Sequence, residues 1–516
     1  MAPLLGEDPL YSVPSSIWWP AVTLVVLASV VVLRVITNHI TLNGPPVFEG
    51  LPFVGGILKF LQGPMQLMKG GYQKYGEVFT VPVLHKKITF LLGPHASPHF
   101  YKASDDDMSQ TEVYEFNVPT FGKGVVFDVD HKTRGEQFRF FAEALKSARL
   151  KLYVPLFVQE TQDFFGKWGD SGIVDFKDVL ADLIILTASR TLLGREVREN
   201  MFSQVTALLH DLDEGMKPIS VLFPYLPIPA HNRRDRARAE LSELFAKVIR
   251  ARRADPERNA READLLASFC QARYSPAING GRELTEGEIT GMLIAVLFAG
   301  QHTSSITSSW TGLYMIKHPD VWKEAVEEQR QVIRTHGEKL TLEALGDMPV
   351  LQRIITEALR LFPPLILLLR QCKRSFLVST SNGHKYTIPK GHVVATSPAF
   401  QHRLPHIFER PDSFEPDRFA DARAEDKAMP FSFIGFGGGR HGCMGSNFAY
   451  LQIKTIWSVL LRNFEMELLD PFPQADYSSM VVGPTACRVQ YTRRPLRHRQ
   501  TYIGAHGISG TRERDY

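Results

Sequence analysis

The stretch Phe433-Ile434-Gly435-Phe436-Gly437-Gly438-Gly439-Arg440-His441-Gly442-Cys443-Met444-Gly445 decides the reading of this chain. Its glycines let the backbone turn tightly and approach a flat ligand closely. Such a loop can aim amide N–H groups at the Cys443 sulfur, and residues 448–461 follow with helical periodicity. The positive end of that helix adds to the amides, and both effects favour a thiolate. A shielded thiolate suits an iron centre of the haem type, where it donates electron density that favours O–O cleavage. Two plainer readings compete. A Gly-rich loop before a helix can cradle phosphate, but the strand–loop–helix spacing with a later acidic residue is absent. A lone cysteine is commonly a small buried hydrophobe, and only its neighbours distinguish this one.

Composition sets the outer limits. The 516 residues are 44% hydrophobic and 22% charged, an ordinary globular balance. Lys and Arg total 59 against 55 Asp and Glu, a net +4, which carries no nucleic-acid footprint. Cys270, Cys372, Cys443 and Cys487 lie far apart with no CxxC pair, against a disulfide framework or a structural zinc site. A cysteine that matters here works alone.

Residues 17–33 read IWWPAVTLVVLASVVVL, without a charge, and the run extends past Arg34 to Ile36. Twenty residues rise about 30 Å, the thickness of a bilayer core. Trp18 and Trp19 suit one interface, and Arg34 can snorkel toward the other. No basic region precedes the run, so a cleaved signal peptide is disfavoured. We expect residues 1–16 to be lumenal and 17–36 to form a single transmembrane anchor. A Pro/Gly-rich linker covers 37–56, the body 57–495, and a polar tail 496–516. The charge asymmetry places the body in the cytosol.

Within the body, β-type runs such as Val78-Phe79-Thr80-Val81 and Ile88-Thr89-Phe90-Leu91-Leu92 precede a mostly helical region. Helices are expected over 134–150, 174–193 and 236–253, the last heavily charged and so a solvated face. The longest runs over 286–318, opened by Thr285 and Glu288 as a capping box and apolar on nearly all sides from Met292 to Ala299. The fold is therefore mainly α with a minor β portion. Midway along the long helix, Ala299-Gly300-Gln301-His302-Thr303 places Ala299 and Thr303 on one face. Gly300 costs about 1 kcal/mol relative to Ala, so close approach of a ligand would explain it. The Thr303 hydroxyl can bond back to the Ala299 carbonyl and hold water for proton delivery, or it can be a helix-interior Thr without a role.

The pattern Phe-x-x-Gly-x-His-x-Cys-x-Gly at Phe436, Gly439, His441, Cys443 and Gly445 resembles the cytochrome P-450 family. Glu357-Ala358-Leu359-Arg360, uninformative alone, and Arg418 in Phe414-Glu415-Pro416-Asp417-Arg418-Phe419 match the Glu–Arg–Arg set that locks the core behind the haem in that family. His302 stands where most members carry an acid, and Ala-Gly-Gln-His-Thr-Ser-Ser is similar to the sterol 14α-demethylase branch, as is the segment His210-Asp211-Leu212-Asp213-Glu214. The resemblance spans nearly everything from Pro45 to Arg494, including the segment Tyr114 to Gly122.

The resemblance implies a cytochrome P-450 fold holding haem b through Cys443. Its propionates would meet His441, Arg370, Tyr114 and Arg134, with Phe436 and Gly437 shaping the loop beside the ring. It implies a sterol cavity lined by Phe116, Phe121, Ala295, Phe298, Ala299, Thr303, Leu365, Leu367, Leu369, Met480 and Val481. Thr303, His302 and Asp213 would handle protons. Phe116 matches the green-lineage form, whose bulk favours sterols with one C4 methyl such as obtusifoliol over lanosterol. Phe127 departs from the tyrosine of fungal and animal members, so a hydroxyl contact there is lost.

The implied reaction is a three-step oxidation of the sterol 14α-methyl, through alcohol and aldehyde to formate, using O2 as co-substrate. NADPH would act indirectly through an NADPH–cytochrome P-450 reductase, which could meet Lys146, Arg149, Lys151 and Arg440. The setting would be the endoplasmic reticulum membrane, with lipid contact at the anchor, azole-type inhibitors as plausible ligands, and no nucleic acid. Two alternatives stay open: a haem-thiolate monooxygenase of another lipid, and a non-catalytic haem or sterol carrier.

Overall fold

The structure is a computed structural model that describes residues 43–49, 55–84 and 86–495, together with Val22, Thr23, Val25, Val26 and Ser29. Those five are helical, and Val22, Val25 and Val26 are exposed. The rest of the expected anchor, residues 1–16, much of the linker and the tail lie outside the described residues.

Short β-branched and apolar runs, several of them buried on both faces, form a five-stranded sheet in the order Val78–Val83, Lys86–Leu91, Val393–Thr396, Leu368–Cys372, Met108–Ser109. Val78 pairs with Leu91, and Lys86–Leu91 runs parallel to Val393–Thr396, chain elements 300 residues apart. A second sheet joins Ser171–Asp175, Arg488–Arg493 and Phe464–Leu468. Helices make up the larger body, and the mainly α architecture stands as expected.

Glu286–Lys317 runs through the middle, about 48 Å long by its rise per residue. It begins as expected: Thr285 Oγ1 accepts from Glu288 N at 3.1 Å, and Thr285 N donates to Glu288 Oε2 at 2.7 Å. It packs against Phe176–Ala188, Pro349–Leu361, Pro229–Ala254 and Ser446–Asn463. By length and composition it is the one helix among the described residues that could cross a bilayer, but most of it is buried inside the protein. A helix buried on all sides has to satisfy its own hydroxyls. Thr307, Ser309 and Thr311 donate to the carbonyls of Thr303, Ser305 and Thr307 at 2.7–2.8 Å.

Three expected helices are corrected. Residues 134–150 are two helices, His131–Ala144 and Ser147–Gly166. The first starts where the Asp130 carboxylate accepts from Lys132 N and Thr133 N. Residue 174 belongs to a strand, because Val174 pairs with Val489, and the helix begins at Phe176 under an Asp175 cap. The charged helix is longer, Pro229–Ala254, and is not merely a solvated face. His231, Arg234, Ala237, Leu241, Phe245 and Ile249 form a buried stripe along it.

Candidate active site

Along the long helix, burial is continuous from Glu288 to Ala295 and again from Ser304 to Met315, but it fails between Phe298 and Thr303. Ala299 is exposed in the middle of the protein, and a Cβ on Gly300 would meet nothing within 4 Å. Thr303 Oγ1 donates to the Ala299 carbonyl at 2.6 Å, the back-bond expected from the i,i+4 spacing. Uncovered at mid-length while buried on either side, this stretch marks the helix as one border of a cavity.

Cys443 has the same double character. It is a free thiol with open surface, yet burial pushes its ionisation upward, opposed only by a bond from the Gly445 amide. A group both accessible and closely surrounded lines a cavity. The loop reaches this conformation through Gly437 and Gly439, at φ +69° and +63°. A Cβ on Gly439 would lie 2.0 Å from the Tyr101 carbonyl. Cys443 N donates to the Phe436 carbonyl at 2.8 Å, closing the turn, and the Phe436 ring packs 5.2 Å from Tyr450. The amides and helix end expected to favour a thiolate do not outweigh desolvation by themselves; a coordinated metal ion deprotonates such a thiol outright. Cys270 and Cys372 are buried, with their thiols pushed up to about 11, which makes them inert.

Beside the loop, His441, Arg370, Arg134 and Tyr114 gather as expected, but around a fifth residue that sequence reading missed. Asp105 Oδ1 accepts from His441 Nε2 at 2.8 Å and from Arg134 Nη2 at 3.2 Å. Burial, then nearby Arg370, lowers the His441 ionisation, and burial pushes Arg370 down to about 10. Arg370 Nε is a donor buried here without a partner; His441 Nδ1, the acceptor nitrogen of a ring whose Nε2 donates to Asp105, is also unpartnered. Orphaned buried donors cost about 1–3 kcal/mol each, so an anion is the natural complement. Tyr114 Oη accepts from Leu369 N at 3.2 Å, leaving its proton to donate elsewhere. An open cysteine, an apolar slot and the unpartnered Arg370 guanidinium to one side fit a flat dianionic porphyrin, whose iron the Cys443 thiolate would hold.

The apolar wall is assembled from distant segments. Phe116, Phe121 and Ala295 are buried, and the Phe298 ring lies 6.1 Å from Phe121 and 6.4 Å from His302. Phe127, lacking a hydroxyl, packs its ring against Tyr114 at 5.3 Å and Phe121 at 6.2 Å. Leu365 is exposed, while Leu367 and Leu369 are half-buried against the sheet. The turn carrying Met480 and Val481 is held where Val482 N donates to the Pro364 carbonyl at 2.9 Å. It sits near the long helix, since a Cβ on Gly483 would lie 3.0 Å from Ile306. His302 Nε2 meets Asp213 Oδ1 at 3.0 Å, joining the long helix to Phe202–Glu214.

Behind the loop, Glu357, Arg360 and Arg418 are fully buried. Arg360 grips Glu357 at 2.6 and 2.9 Å, and Arg418 Nε reaches it at 3.0 Å. Arg360 also donates to the carbonyls of His402, Pro411 and Ser413. No motif marks His402, which links this cluster to the loop. Its Nδ1 donates to the Arg360 carbonyl at 3.1 Å, and its Nε2 accepts from Ile434 N at 2.8 Å. Burial pushes its ionisation down to about 3, so the ring is neutral, as this tautomer requires. Of the outer basic groups, Lys146 pairs with Glu143 and Lys151 with Glu343, while Arg440 lies 3.9 Å from Asp105.

The Cytochrome P-450 family profile matches residues 45–487. An obtusifoliol 14-alpha demethylase of Triticum aestivum is 59% identical over 88% of this chain and 99% of its own length. A sterol 14-demethylase of Arabidopsis thaliana is 56% identical over 92% of this chain and 97% of its own. A lanosterol 14-alpha demethylase of Homo sapiens is 36% identical over 91% of each. A cyanobacterial protein solved with retinoic acid bound superposes with a TM-score of 0.74 at 24% identity, covering 88% of this chain and all of that one, a likeness of fold. With the profile matched over most of its length and relatives up to 59% identical along nearly the whole body, the chain belongs to the cytochrome P-450 family.

Proposed function

We propose that this chain is a sterol 14α-demethylase that favours sterols with a single C4 methyl, such as obtusifoliol, and releases the 14α-methyl as formate. The observation that carries the reading is the apolar cavity that opens at Ala299 and Thr303, walled by Phe116, Phe121 and Phe298 and served by the His302–Asp213 pair. A flat hydrocarbon substrate requires such walls. The plant relatives named for obtusifoliol and sterol demethylation support it.

Haem b bound through Cys443 would supply the oxidising chemistry, with electrons delivered from NADPH by a reductase. His441, Arg370, Arg134 and Tyr114 would hold its propionates by charge-assisted bonds, and Cys443 its iron. The chain's own residues do the rest. The phenylalanine wall orients the ring system and excludes water, fixing one methyl in place. The Thr303 hydroxyl, back-bonded to Ala299, keeps its lone pairs toward the cavity and can hold a water there. His302 passes protons inward from Asp213, which is partly exposed and so reaches solvent. The 17–36 segment anchors the chain in the endoplasmic reticulum membrane with the body cytosolic. The ion pairs of Lys146 and Lys151 are exposed and weak, so both lysines can exchange partners for an acidic reductase surface.

Sterol titration of the purified holoprotein, followed by formate production with NADPH and reductase, tests the reading. A shift of the Soret band with fatty acids and not with sterols would assign another lipid, and sterol binding without formate would indicate a carrier. His302→Ala is expected to slow turnover by about 100-fold, the scale of a lost proton-transfer group, and to raise uncoupled oxygen consumption while sterol affinity holds. Unchanged coupling would exclude the relay. Phe116→Leu is expected to shift the kcat/KM ratio toward C4-dimethyl sterols by roughly 10- to 100-fold, the scale of one methyl in an apolar pocket. An unchanged ratio would separate Phe116 from substrate choice.

A further inference from the structure

Arg238, on the helix Pro229–Ala254, is a half-buried guanidinium that meets only neutral acceptors. Its Nε and Nη2 both donate to the Phe121 carbonyl, at 3.3 and 3.0 Å, and its Nη1 donates to Ser242 Oγ. Ser242 Oγ in turn donates to the Arg238 carbonyl at 2.8 Å. Burial pushes the Arg238 ionisation down to about 10, with no carboxylate to offset it. A cation partly withdrawn from water and paired with no anion is costly, so its placement has a purpose to explain.

Two glycines complete the arrangement. Gly122 has φ +105°, and a Cβ there would lie 2.4 Å from Arg238 Nη2, so only glycine lets the guanidinium lie flat on this turn. Gly291 is in the interior of the long helix, where glycine costs about 1 kcal/mol relative to alanine. A Cβ on Gly291 would lie 2.4 Å from the same Phe121 carbonyl and 2.7 Å from Val125 Cγ2. Thus one carbonyl is clamped between a guanidinium from the helix Pro229–Ala254 and a bare patch of the central helix. The residue that owns this carbonyl carries the ring that meets Phe298 at 6.1 Å and Phe127 at 6.2 Å in the cavity wall.

The geometry points to Arg238 as a positioning residue that latches the wall segment Val118–Phe121 onto the helix Pro229–Ala254 and so sets the width of the substrate slot. Arg238 does not touch the cavity's occupant; it acts through the backbone of Phe121. The latch governs how tightly a flat substrate is held, rather than the oxidation itself. Its bearing on sterol choice rests on the demethylase reading above, whereas the latch itself does not.

Arg238→Met keeps the aliphatic stem and removes all donors; Arg238→Lys keeps charge but offers a point donor in place of the fork. Amide hydrogen exchange of the full-length holoprotein over residues 116–124 reads the latch without any substrate. Arg238→Met is expected to accelerate exchange there by at least 10-fold and to leave the helix Ser446–Asn463 unchanged, with Arg238→Lys in between. Sterol titration and kinetics should then show KM raised about 10-fold with kcat within 2-fold. Unchanged exchange over 116–124 would overturn the latch, and so would exchange rising equally throughout the protein, the mark of a general structural role. Altered exchange with KM and kcat both unmoved would overturn its part in substrate fit. Were the wild-type protein to bind no sterol, the demethylase reading would fail while the exchange result still judged Arg238.

Discussion

Cys443→Ala is expected to abolish the thiolate-ligated pigment: the carbon monoxide difference spectrum of the reduced protein loses its thiolate band, and no turnover remains detectable. The reason lies in the site's construction. Cys443 is the one free cysteine with open surface, and the other three described cysteines are buried, so none is placed to substitute. The loop around it is shaped by backbone bonds and by Gly437 and Gly439, not by the thiol, so the variant should still fold. Circular dichroism close to wild type would separate a lost ligand from a lost fold. A variant that retained the same pigment with the same absorption would remove the basis of the haem-thiolate assignment.

Glu357→Ala is expected to cost about 3–5 kcal/mol of stability, the scale of breaking a buried ion pair. Total stabilities are only about 5–15 kcal/mol, so this variant sits near the edge of folding. Removing the carboxylate leaves Arg360 charged at full burial with only carbonyls around it, while Arg418 keeps Glu425 at 2.7 Å. It also frees Glu415 N, which donates to Glu357 Oε1 at 2.8 Å. Because His402 connects the Arg360 carbonyl to the Ile434 amide, loosening should reach the cysteine loop. The measurement is urea denaturation with haem retention followed in parallel. A loss below 1 kcal/mol would mean that Glu425 and the surrounding carbonyls suffice to hold the two guanidinium groups.

The fold class, the long central helix and the cysteine loop were legible in the sequence because each is governed by local rules. Glycine at positive φ, the Thr285–Glu288 capping box and the i,i+4 bond from Thr303 to Ala299 involve residues within a few positions of one another. The boundaries that were misread depend on partners far away in the chain. Val174 looked helical by periodicity, but pairing with Val489 drew it into a strand. The charged run 236–253 reads as a solvated face, yet the helix that contains it, Pro229–Ala254, buries Arg234 and Arg252, the latter on Glu196 and Asp264.

The same division holds for the site. The sequence by itself determined which residues could ligate, which could carry protons and which were apolar enough to wall a sterol cavity, because side-chain chemistry belongs to residue type. Only the tertiary structure decided that Asp105 lies among the expected propionate donors, that His402 couples the Glu357 cluster to the loop, and that Arg238 grips the Phe121 carbonyl. Contacts such as these span 32 to 336 residues and have no periodicity or motif. They exist because burial leaves polar groups no water to bond, so each must find whatever donor or acceptor the packing brings within reach.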